Sequence, residues 1–379
     1  MSKPIENLHS RRRALALLGG SFLAPAVFAS AVRDSSPITH HSSPVTQFAQ
    51  VVPGRALRFP EDEGSHPDFR VEWWYVTGLL DAAVARPVGF QVTFFRVHTA
   101  RETANPSAFA PRQILIAHAA VSDPDRGKLI YEHRAGRAGF KLAEALQGRT
   151  AVWIDEWAIE QRVRDYLIRL PARNFGFDFT LKETQAPMVN GDGGYSRKGP
   201  ARASASYYYS VPQLAVSGTL IREGSARQIT GKAWLDHEWS SSYLDERASG
   251  WDWIGINFDD GGALMAFRIR DRQQKLFWAG GTYRNAKGES RTFAPDAVRF
   301  TGTRFWQSPR TGTRYPIAWA VAVGDLILSI EPYMEDQEQD ASATTGAVYW
   351  EGAVQALAAG KRVGAGYLEL TGYGKRLRL

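Results

Sequence analysis

The sequence predicts an all-β fold with two consecutive antiparallel barrel-like domains packed together. Short runs of alternating apolar and polar residues recur along the chain, whereas a 3.6-residue helical period is hard to find. The 35 glycines and 19 prolines supply the turns that bound these runs. About a dozen and a half strands are expected, which is too many for one small barrel and favours two barrels in sequence.

The predicted strands extend over the whole body of the chain. They are residues 71–80, 88–97, 113–122, 175–181, 205–211, 214–221, 253–258, 263–270, 276–283, 316–323, 326–333, 349–357 and 366–373. A domain boundary is expected near 240–250, where a polar stretch separates two aromatic strands. We therefore assign residues 51–245 to the first domain and residues 246–379 to the second.

The N-terminus has the pattern of an export signal. Three arginines at 11–13 precede a short apolar run at 14–29 that ends in small residues, and the arginine pair resembles a twin-arginine signal. A membrane anchor is the alternative, but the run is shorter than the roughly 20 apolar residues that a span needs. We expect residues 1–31 to be a signal peptide, residues 32–50 to be a linker, and the protein to be periplasmic or secreted.

Composition excludes several classes of chemistry. There is no cysteine, which rules out disulfides, thiolate zinc sites and cysteine nucleophiles. The formal net charge is +7 without a basic stripe, so a nucleic-acid partner is not expected. The chain has no H-E-x-x-H zinc motif, no G-x-S-x-G elbow and no phosphate-binding loop, and its histidines are too few and too scattered to predict a metal site.

Acidic residues stand among bulky aromatic residues in the stretch KAWLDHEW at 232–239. The two-residue period of a strand places His237 and Trp239 on one face and Asp236 and Glu238 on the other. A functional interpretation makes these residues acid–base groups in a dry pocket. The alternative is structural: a buried histidine that is hydrogen-bonded, with solvated acids on the outer face.

Asp252 lies in the stretch GWDWIGINF, on the same strand face as Ile254 and Ile256, whereas Trp251 and Trp253 share the other face. Burial among aliphatic side chains would raise the pKa of its carboxyl, and a protonated acid can donate a proton to carbon. Alternatively, Asp252 fastens a turn or pairs with a nearby arginine.

Other residues are candidates for ligand contact. Glu72 shares a face with Trp74 and needs a partner, for which Arg96, on the face of Phe94, is a candidate. His118 lies on an apolar face and is expected to be buried. The remaining candidates for ligand binding are Trp74, Tyr75, Phe94, Tyr195, Trp251, Trp253, Tyr349, Trp350 and Glu351.

Seven stretches in order carry a family resemblance over nearly all of the chain after residue 50. They are EWWYVTG, GDGGYSRKG, YYYSVPQLAVSGTL, WLDHEWSS, GWDWIGINFDDG, YPIAWAV and YWEGAV with GYLELTGY. The chain resembles the AttH-type secreted lipocalin-like proteins, also called predicted secreted hydrolases. These are similar to carotenoid 1,2-hydratases and, more distantly, to fungal lipocalin-like hydratases and cyclases.

The resemblance implies two lipocalin-like barrels with an apolar pocket near their junction, and chemistry without a metal or an organic cofactor. In the hydratases an acid protonates an isoprenoid double bond, aromatic rings stabilise the cation, and water adds. The matching His-x-Trp is His237, which would donate a proton or hold the water, and Trp239, which would face the cation. A tyrosine and an aspartate complete the family's site, but this chain has Phe267 and Arg268 there, so Asp252 becomes the candidate substitute.

Two functions are therefore open. The first is an enzyme that hydrates or hydrolyses an isoprenoid- or acyl-like compound. The second is a non-catalytic carrier of an apolar or amphipathic small molecule, serving a membrane transport complex. A structural role in the cell envelope is a weaker third possibility.

Overall fold

The computed structural model describes residues 48–81, 86–99, 107 and 110–375. The predicted signal peptide and all but the last three residues of the predicted linker lie outside the described residues. Residues Thr46–Leu379 belong to one compact unit. No helix among the described residues combines the length and the apolar character that crossing a bilayer requires.

The first sheet contains 13 strands and is antiparallel throughout. Its strands are β1 (Val71–Asp81), β2 (Val88–His98), β3 (Gln113–Asp123), β4 (Lys128–Arg137), β5 (Ala143–Ala145), β6 (Ala151–Ile154), β7 (Trp157–Arg162), β8 (Asp165–Pro171), β9 (Phe175–Lys182), β10 (Met188–Val189), β11 (Tyr195–Arg197), β12 (Ala205–Arg222) and β13 (Ser225–Ser242). The strand order is β4-β3-β2-β1-β13-β12-β9-β8-β7-β6-β5, and β10 and β11 pair with β12. One of the two sheets of the protein is a nearly closed barrel, and we call the interior that the first sheet encloses the first barrel.

The second sheet contains ten strands, also antiparallel. They are β14 (Ala248–Phe258), β15 (Ala263–Asp271), β16 (Leu276–Arg284), β17 (Ser290–Phe293), β18 (Val298–Gln307), β19 (Arg314–Val323), β20 (Leu326–Pro332), β21 (Glu338–Ala341), β22 (Ala347–Ala358) and β23 (Lys361–Leu370). The order is β17-β16-β15-β14-β23-β22-β20-β19-β18, with β21 beside β22. Two 3₁₀ helices, Glu61–Glu63 and Pro295–Ala297, are the helical elements of the described residues.

Three apolar clusters hold the unit together, and the alternation of side chains along each strand explains which residues enter which cluster. The first fills the inside of the first sheet, the second fills the inside of the second sheet, and the third lies between the sheets. On β13, Leu235 and Trp239 belong to the first cluster, whereas Trp234 belongs to the third. On β14, Ile254 lies in the second cluster and Trp253 in the third. Each of these strands thus supplies two cores, one on each face.

The predicted fold class is confirmed: the protein is all-β, with two antiparallel barrel-like sheets. No described strand crosses residues 243–247, where the two predicted domains meet. Because the third cluster joins both sheets within one compact unit, the division into separate domains stays a prediction.

The close approach of the two sheets depends on a glycine in β2. A Cβ atom on Gly89 would lie 2.5 Å from the hydroxyl of Tyr367 and 2.7 Å from the Cβ of Ala353, both in the second sheet. We predict that Gly89→Ala lowers the free energy of unfolding by about 1–3 kcal/mol, because a packed interface cannot absorb an extra methyl group. Urea titration followed by tryptophan fluorescence measures the loss.

Gly176→Ala in β9 is the matched control. Its added methyl would meet Ile221 at ordinary van der Waals distances, 3.4 Å or more. We therefore expect the control to keep or slightly raise stability, since alanine restricts the unfolded chain. Equal stability of the two variants would contradict the close packing inferred at Gly89.

Candidate active site between the two sheets

A small cavity of about 60 Å³ lies between the two sheets. Four carboxyl groups and one ammonium group line it, and we call it the acid chamber. These groups belong to Lys198, Asp236, Glu238, Glu351 and Glu369. The aromatic part of the lining includes Trp73, Tyr75, Trp251, Trp253, Phe267 and Tyr349. The chamber thus combines apolar walls with an unusual density of titratable groups.

Asp236 is fully enclosed and accepts three hydrogen bonds. Trp234 Nε1 and Ser210 Oγ donate to its Oδ1 at 2.7 and 2.6 Å, and the Tyr208 hydroxyl donates to its Oδ2 at 2.6 Å. Burial raises the pKa of Asp236 to about 7, although the three donors oppose the shift. Its carboxyl group therefore changes its charge near neutral pH.

Glu238 forms a buried ion pair with Lys198. The two groups are 2.7 Å apart, and the side chains are 5% and 2% exposed. The Ser206 hydroxyl donates a further hydrogen bond to Glu238. Burial lowers the pKa of Lys198 and raises the pKa of Glu238, so both groups shift toward their neutral forms.

Glu351 and Glu369 face each other directly across β22 and β23. Burial, followed by the charge of Glu369, raises the pKa of Glu351 well above its ordinary value. Burial also raises the pKa of Glu369 to about 7, against a hydrogen bond that Trp251 Nε1 donates at 2.9 Å. Burial and the proximity of the second carboxyl disfavour ionisation of both groups at once, so we infer that this pair retains a proton at neutral pH.

A second cavity, about 230 Å³ and mostly apolar, adjoins the acid chamber, and we call it the apolar hollow. The two cavities share five lining residues: Trp73, Phe95, Trp251, Tyr349 and Glu369. Glu369 therefore lies where the hollow meets the chamber. This arrangement would let an apolar molecule rest in the hollow with one end beside the carboxyl pair.

His118 lies in the apolar hollow and is fully buried, as the sequence predicts. Its Nδ1 is 2.7 Å from the Tyr349 hydroxyl and its Nε2 is 3.0 Å from Thr344 Oγ1. Because Thr344 donates its own proton to the Ala341 carbonyl, His118 Nε2 is the donor and Nδ1 accepts from Tyr349. Burial lowers the pKa of His118 to about 3, so the ring is neutral.

The expected single cluster of His237, Trp239 and Asp252 is wrong, because Asp252 lies inside the second sheet, whereas His237 and Trp239 lie together inside the first. His237 and Trp239 point into the first barrel, on the face of β13 opposite Asp236 and Glu238. Strand alternation permits only one of these two pairs to face the second sheet. In the structure it is the acid pair.

Asp252 lies inside the second sheet, where it is ion-paired. Arg268 Nε and Arg270 Nε are 2.5 and 3.2 Å from its Oδ2, and the Tyr373 hydroxyl donates to its Oδ1 at 2.8 Å. Asp252 is thus paired with two arginines, as in the structural alternative, rather than standing unpaired among aliphatic side chains. The alternative partner Arg247 instead binds Asp245.

Glu72 organises the inside of the first barrel. It accepts hydrogen bonds from Arg96 Nε at 2.8 Å, from His237 Nε2 at 2.9 Å and from His66 Nδ1 at 2.7 Å. Burial, the largest single effect, opposes its ionisation, but the Arg96 guanidinium and the interactions with His237 and His66 together outweigh it and hold the pKa of Glu72 well below its usual value. The predicted partnership of Glu72 and Arg96 is therefore present, whereas sequence reasoning missed His66.

Ligand atoms of His66, Glu72 and His237 lie within 4.8 Å of one another, a spacing that a metal ion could use. Each of these atoms already has a partner in the network, and Arg96 places a positive charge 2.8 Å from Glu72. His66 also bonds Asp62 at 3.0 Å. We interpret the network as a structural one, which anchors residues 62–66, before β1, to the inside of the first barrel.

Aromatic rings cover this network. The ring of His66 stacks on Trp239 at 3.8 Å, and Trp74 stacks on His237 at 4.7 Å between ring centres. One face of the Trp239 indole is thus occupied by protein. The sequence predicts that the Trp239 ring faces a ligand cation. In the structure Trp239 packs in the core of the first barrel and lines neither the chamber nor the hollow.

Four further candidates for ligand contact, Trp74, Phe94, Tyr195 and Trp350, lie outside the two cavities. Phe94 and Trp74 pack in the core of the first barrel. Trp350 packs in the second core and donates to the Glu335 carbonyl at 2.7 Å. Tyr195 donates to the Arg202 carbonyl at 2.6 Å. None of these side chains faces the carboxyl pair, because each lies on a strand face, or beside a turn, that is directed away from the space between the sheets.

The candidates that do line the chamber or the hollow are Glu72, Tyr75, Arg96, His118, Asp236, Glu238, Trp251, Trp253, Tyr349 and Glu351. Sequence reasoning missed Lys198, Tyr208, Tyr243 and Glu369 as members of the site. A usable signal existed for Glu369, since it stands between two leucines in a strand that follows the strand of Glu351. Lys198 carried no such signal, because it lies in a glycine-rich turn.

The carboxyl pair makes the stability of the protein pH-dependent. In the folded state Glu369 holds its proton up to about pH 7, whereas the unfolded chain releases it near its ordinary 4.5. The free energy of unfolding must therefore fall as pH rises through this window. We predict that Glu369→Gln reduces the fall between about pH 5 and about pH 8 by on the order of 1–3 kcal/mol.

Urea unfolding at the two pH values measures this difference. The exposed Glu335→Gln is the matched control and should follow the wild-type protein. A Glu369→Gln variant with the wild-type pH dependence would show that Glu369 is ionised throughout.

Comparisons with known proteins agree with this architecture. An AttH protein from Nitrosomonas europaea, known from a crystal structure, is 49% identical, covers 86% of this chain and 100% of its own, and superposes with a TM-score of 0.82. The kievitone hydratase of Nectria haematococca is 16% identical, with 87% and 97% coverage and a TM-score of 0.63. CghA bound to Sch210972 is 12% identical, with 81% and 89% coverage and a TM-score of 0.51.

The last two likenesses concern the fold alone. The comparison with curated proteins gave no match. A model of the AttH-like family matches residues 50–373, and the chain therefore belongs to the AttH-like family.

Proposed function

We propose that this protein binds an apolar or amphipathic molecule between its two sheets and adds water to it by acid–base catalysis. The observation that carries the proposal is the Glu351–Glu369 pair, in which Glu351 is buried and Glu369 is half-buried, where the apolar hollow meets the acid chamber. A carboxyl group that stays protonated at neutral pH is the proton donor that such a reaction needs. The side chains of the site supply the chemistry in this proposal.

The reaction can be written with these groups alone. The protonated carboxyl of the pair donates its proton to one carbon of an isolated double bond, and the other carbon becomes a cation. The faces of Trp73, Trp251 and Tyr349 line this region and can stabilise the charge. A water molecule adds through its oxygen and gives one proton to an ionised carboxylate, so that the net change is alkene plus water to alcohol.

In this scheme Asp236 and the carboxyl pair can each act as the proton donor to carbon or as the proton acceptor from water. Burial places the pKa of Asp236 and that of Glu369 both at about 7, so neither direction of proton transfer is strongly uphill. The group that receives the proton from water can thus return it to the donor. General acid–base catalysis of this kind contributes typically about 10²–10⁴ in rate.

The shape of the cavities indicates the class of ligand. The acid chamber is small, about 60 Å³, so it accepts only one end of a molecule. The apolar hollow, with the neutral His118 among its lining residues, suits an isoprenoid- or acyl-like tail. The kievitone hydratase and CghA share the fold, and the name of the former supports a hydratase-like reading of the site.

The carrier function remains the alternative proposal. It would use the apolar hollow without chemistry, and a membrane transport complex would be the partner. In either case we propose that the protein acts outside the cytoplasm, because the N-terminal sequence has the pattern of an export signal.

Isotope transfer tests the proposal. Apolar compounds that co-purify with the full chain are extracted, identified by mass spectrometry and incubated with fresh protein in H₂¹⁸O. We predict that the wild-type protein produces an ¹⁸O-containing alcohol and that Glu369→Gln loses about 100-fold or more of this rate. Glu335→Gln, changed at an exposed position, should keep the wild-type rate.

If the wild-type protein and Glu369→Gln both retain the bound compound and neither forms an ¹⁸O product, the enzyme proposal is overturned and the carrier proposal is favoured. Equal product formation by the wild-type protein and Glu369→Gln would instead remove Glu369 from the chemistry.

A further inference from the structure

Lys198 is the buried amine of the acid chamber, and the proposed hydration does not use it. Its side chain is 2% exposed, and its Nζ is 2.7 Å from Glu238 and 3.0 Å from Ser196 Oγ. Every other lysine among the described residues is exposed. An amine in this position has a different chemistry from a surface ammonium group, because it is cut off from water.

Aromatic rings surround the Lys198 nitrogen. It lies 4.4 Å from the ring centre of Phe267, 4.8 Å from that of Tyr208 and 5.3 Å from that of Tyr243. These faces stabilise a positive charge at the nitrogen, and Glu238 neutralises it. The same surroundings would stabilise any cation that replaces the ammonium group at this position.

We propose that Lys198 is a covalent binding site for a lipophilic aldehyde or ketone, which it holds as a protonated imine. Glu238 takes a proton from the ammonium group, and the free nitrogen attacks the carbonyl carbon. The resulting carbinolamine loses water, so that carbonyl compound plus amine becomes imine plus water. The imine nitrogen then takes the proton back, and Glu238 becomes its counter-ion.

Three features of the chamber favour this reaction. Burial shifts both the amine and Glu238 toward their neutral forms, which makes the nucleophilic amine accessible near neutral pH. A dry chamber favours loss of water from the carbinolamine. The adjoining apolar hollow supplies room for the tail of the carbonyl compound. This binding activity goes beyond the proposed hydration and does not depend on the carboxyl pair.

Reductive trapping tests the site on the full chain. The protein is incubated at about pH 7 with a stoichiometric amount of decanal and sodium cyanoborohydride, and the modified lysines are located by peptide mass spectrometry. We expect Lys198 to be labelled at least about tenfold more than any surface lysine, since each unit by which its pKa is lowered raises the free-amine fraction tenfold.

Two variants serve as controls. Lys198→Arg keeps the positive charge and should lose the selective label, whereas Lys232→Arg, changed at an exposed lysine, should keep it. Glu369→Gln should still label Lys198, which separates this site from the proposed hydration. If Lys198→Arg does not fold, the distribution of label in the wild-type protein decides. Label spread over the surface lysines with Lys198 unmodified would overturn the proposal.

Discussion

The site depends on two carboxyl groups that strand register places opposite each other between the two sheets. Glu351 and Glu369 are cross-strand neighbours on β22 and β23, and between the sheets Glu351 is buried and Glu369 is half-buried. Desolvation disfavours each charge, and the proximity of the second carboxyl disfavours it further. A proton held at neutral pH follows from this constraint alone. The aromatic walls and the apolar hollow then determine what that proton can reach.

One strand, β13, contributes side chains to both the acid chamber and the interior of the first barrel. Its inner face contributes His237 to the network around Glu72 and Arg96, while its outer face contributes Asp236 and Glu238 to the chamber. The buried network is fully packed under stacked rings. We infer that the residues matching the family's His-x-Trp act here by holding β13 in place, so that its acids meet the second sheet with a fixed geometry.

Strand periodicity was enough to predict the fold class and which side chains share a face. It also pointed to Arg96 as the partner of Glu72, because both lie on apolar strand faces that require a neutralised charge. Periodicity cannot say which face of a strand meets the other sheet, and this is why His237 and Trp239 were grouped with Asp252. The missed strand β4 has many charged and half-buried positions that blur the alternation, whereas the missed strand β18 alternates between more and less covered positions. Lys198 enters the chamber from an irregular segment, which no period describes.

The central claim is that the Glu351–Glu369 pair holds a proton at neutral pH, and ¹³C NMR of glutamate side-chain carboxyl carbons tests it most directly. Spectra of the labelled protein from about pH 4 to about pH 9 would be assigned with Glu351→Gln and Glu369→Gln. The account predicts that one carboxyl of the pair remains protonated at about pH 7 and that removing either residue lowers the pKa of the other. Two carboxyl groups that both ionise near 4.5, the ordinary value for glutamate, would contradict it.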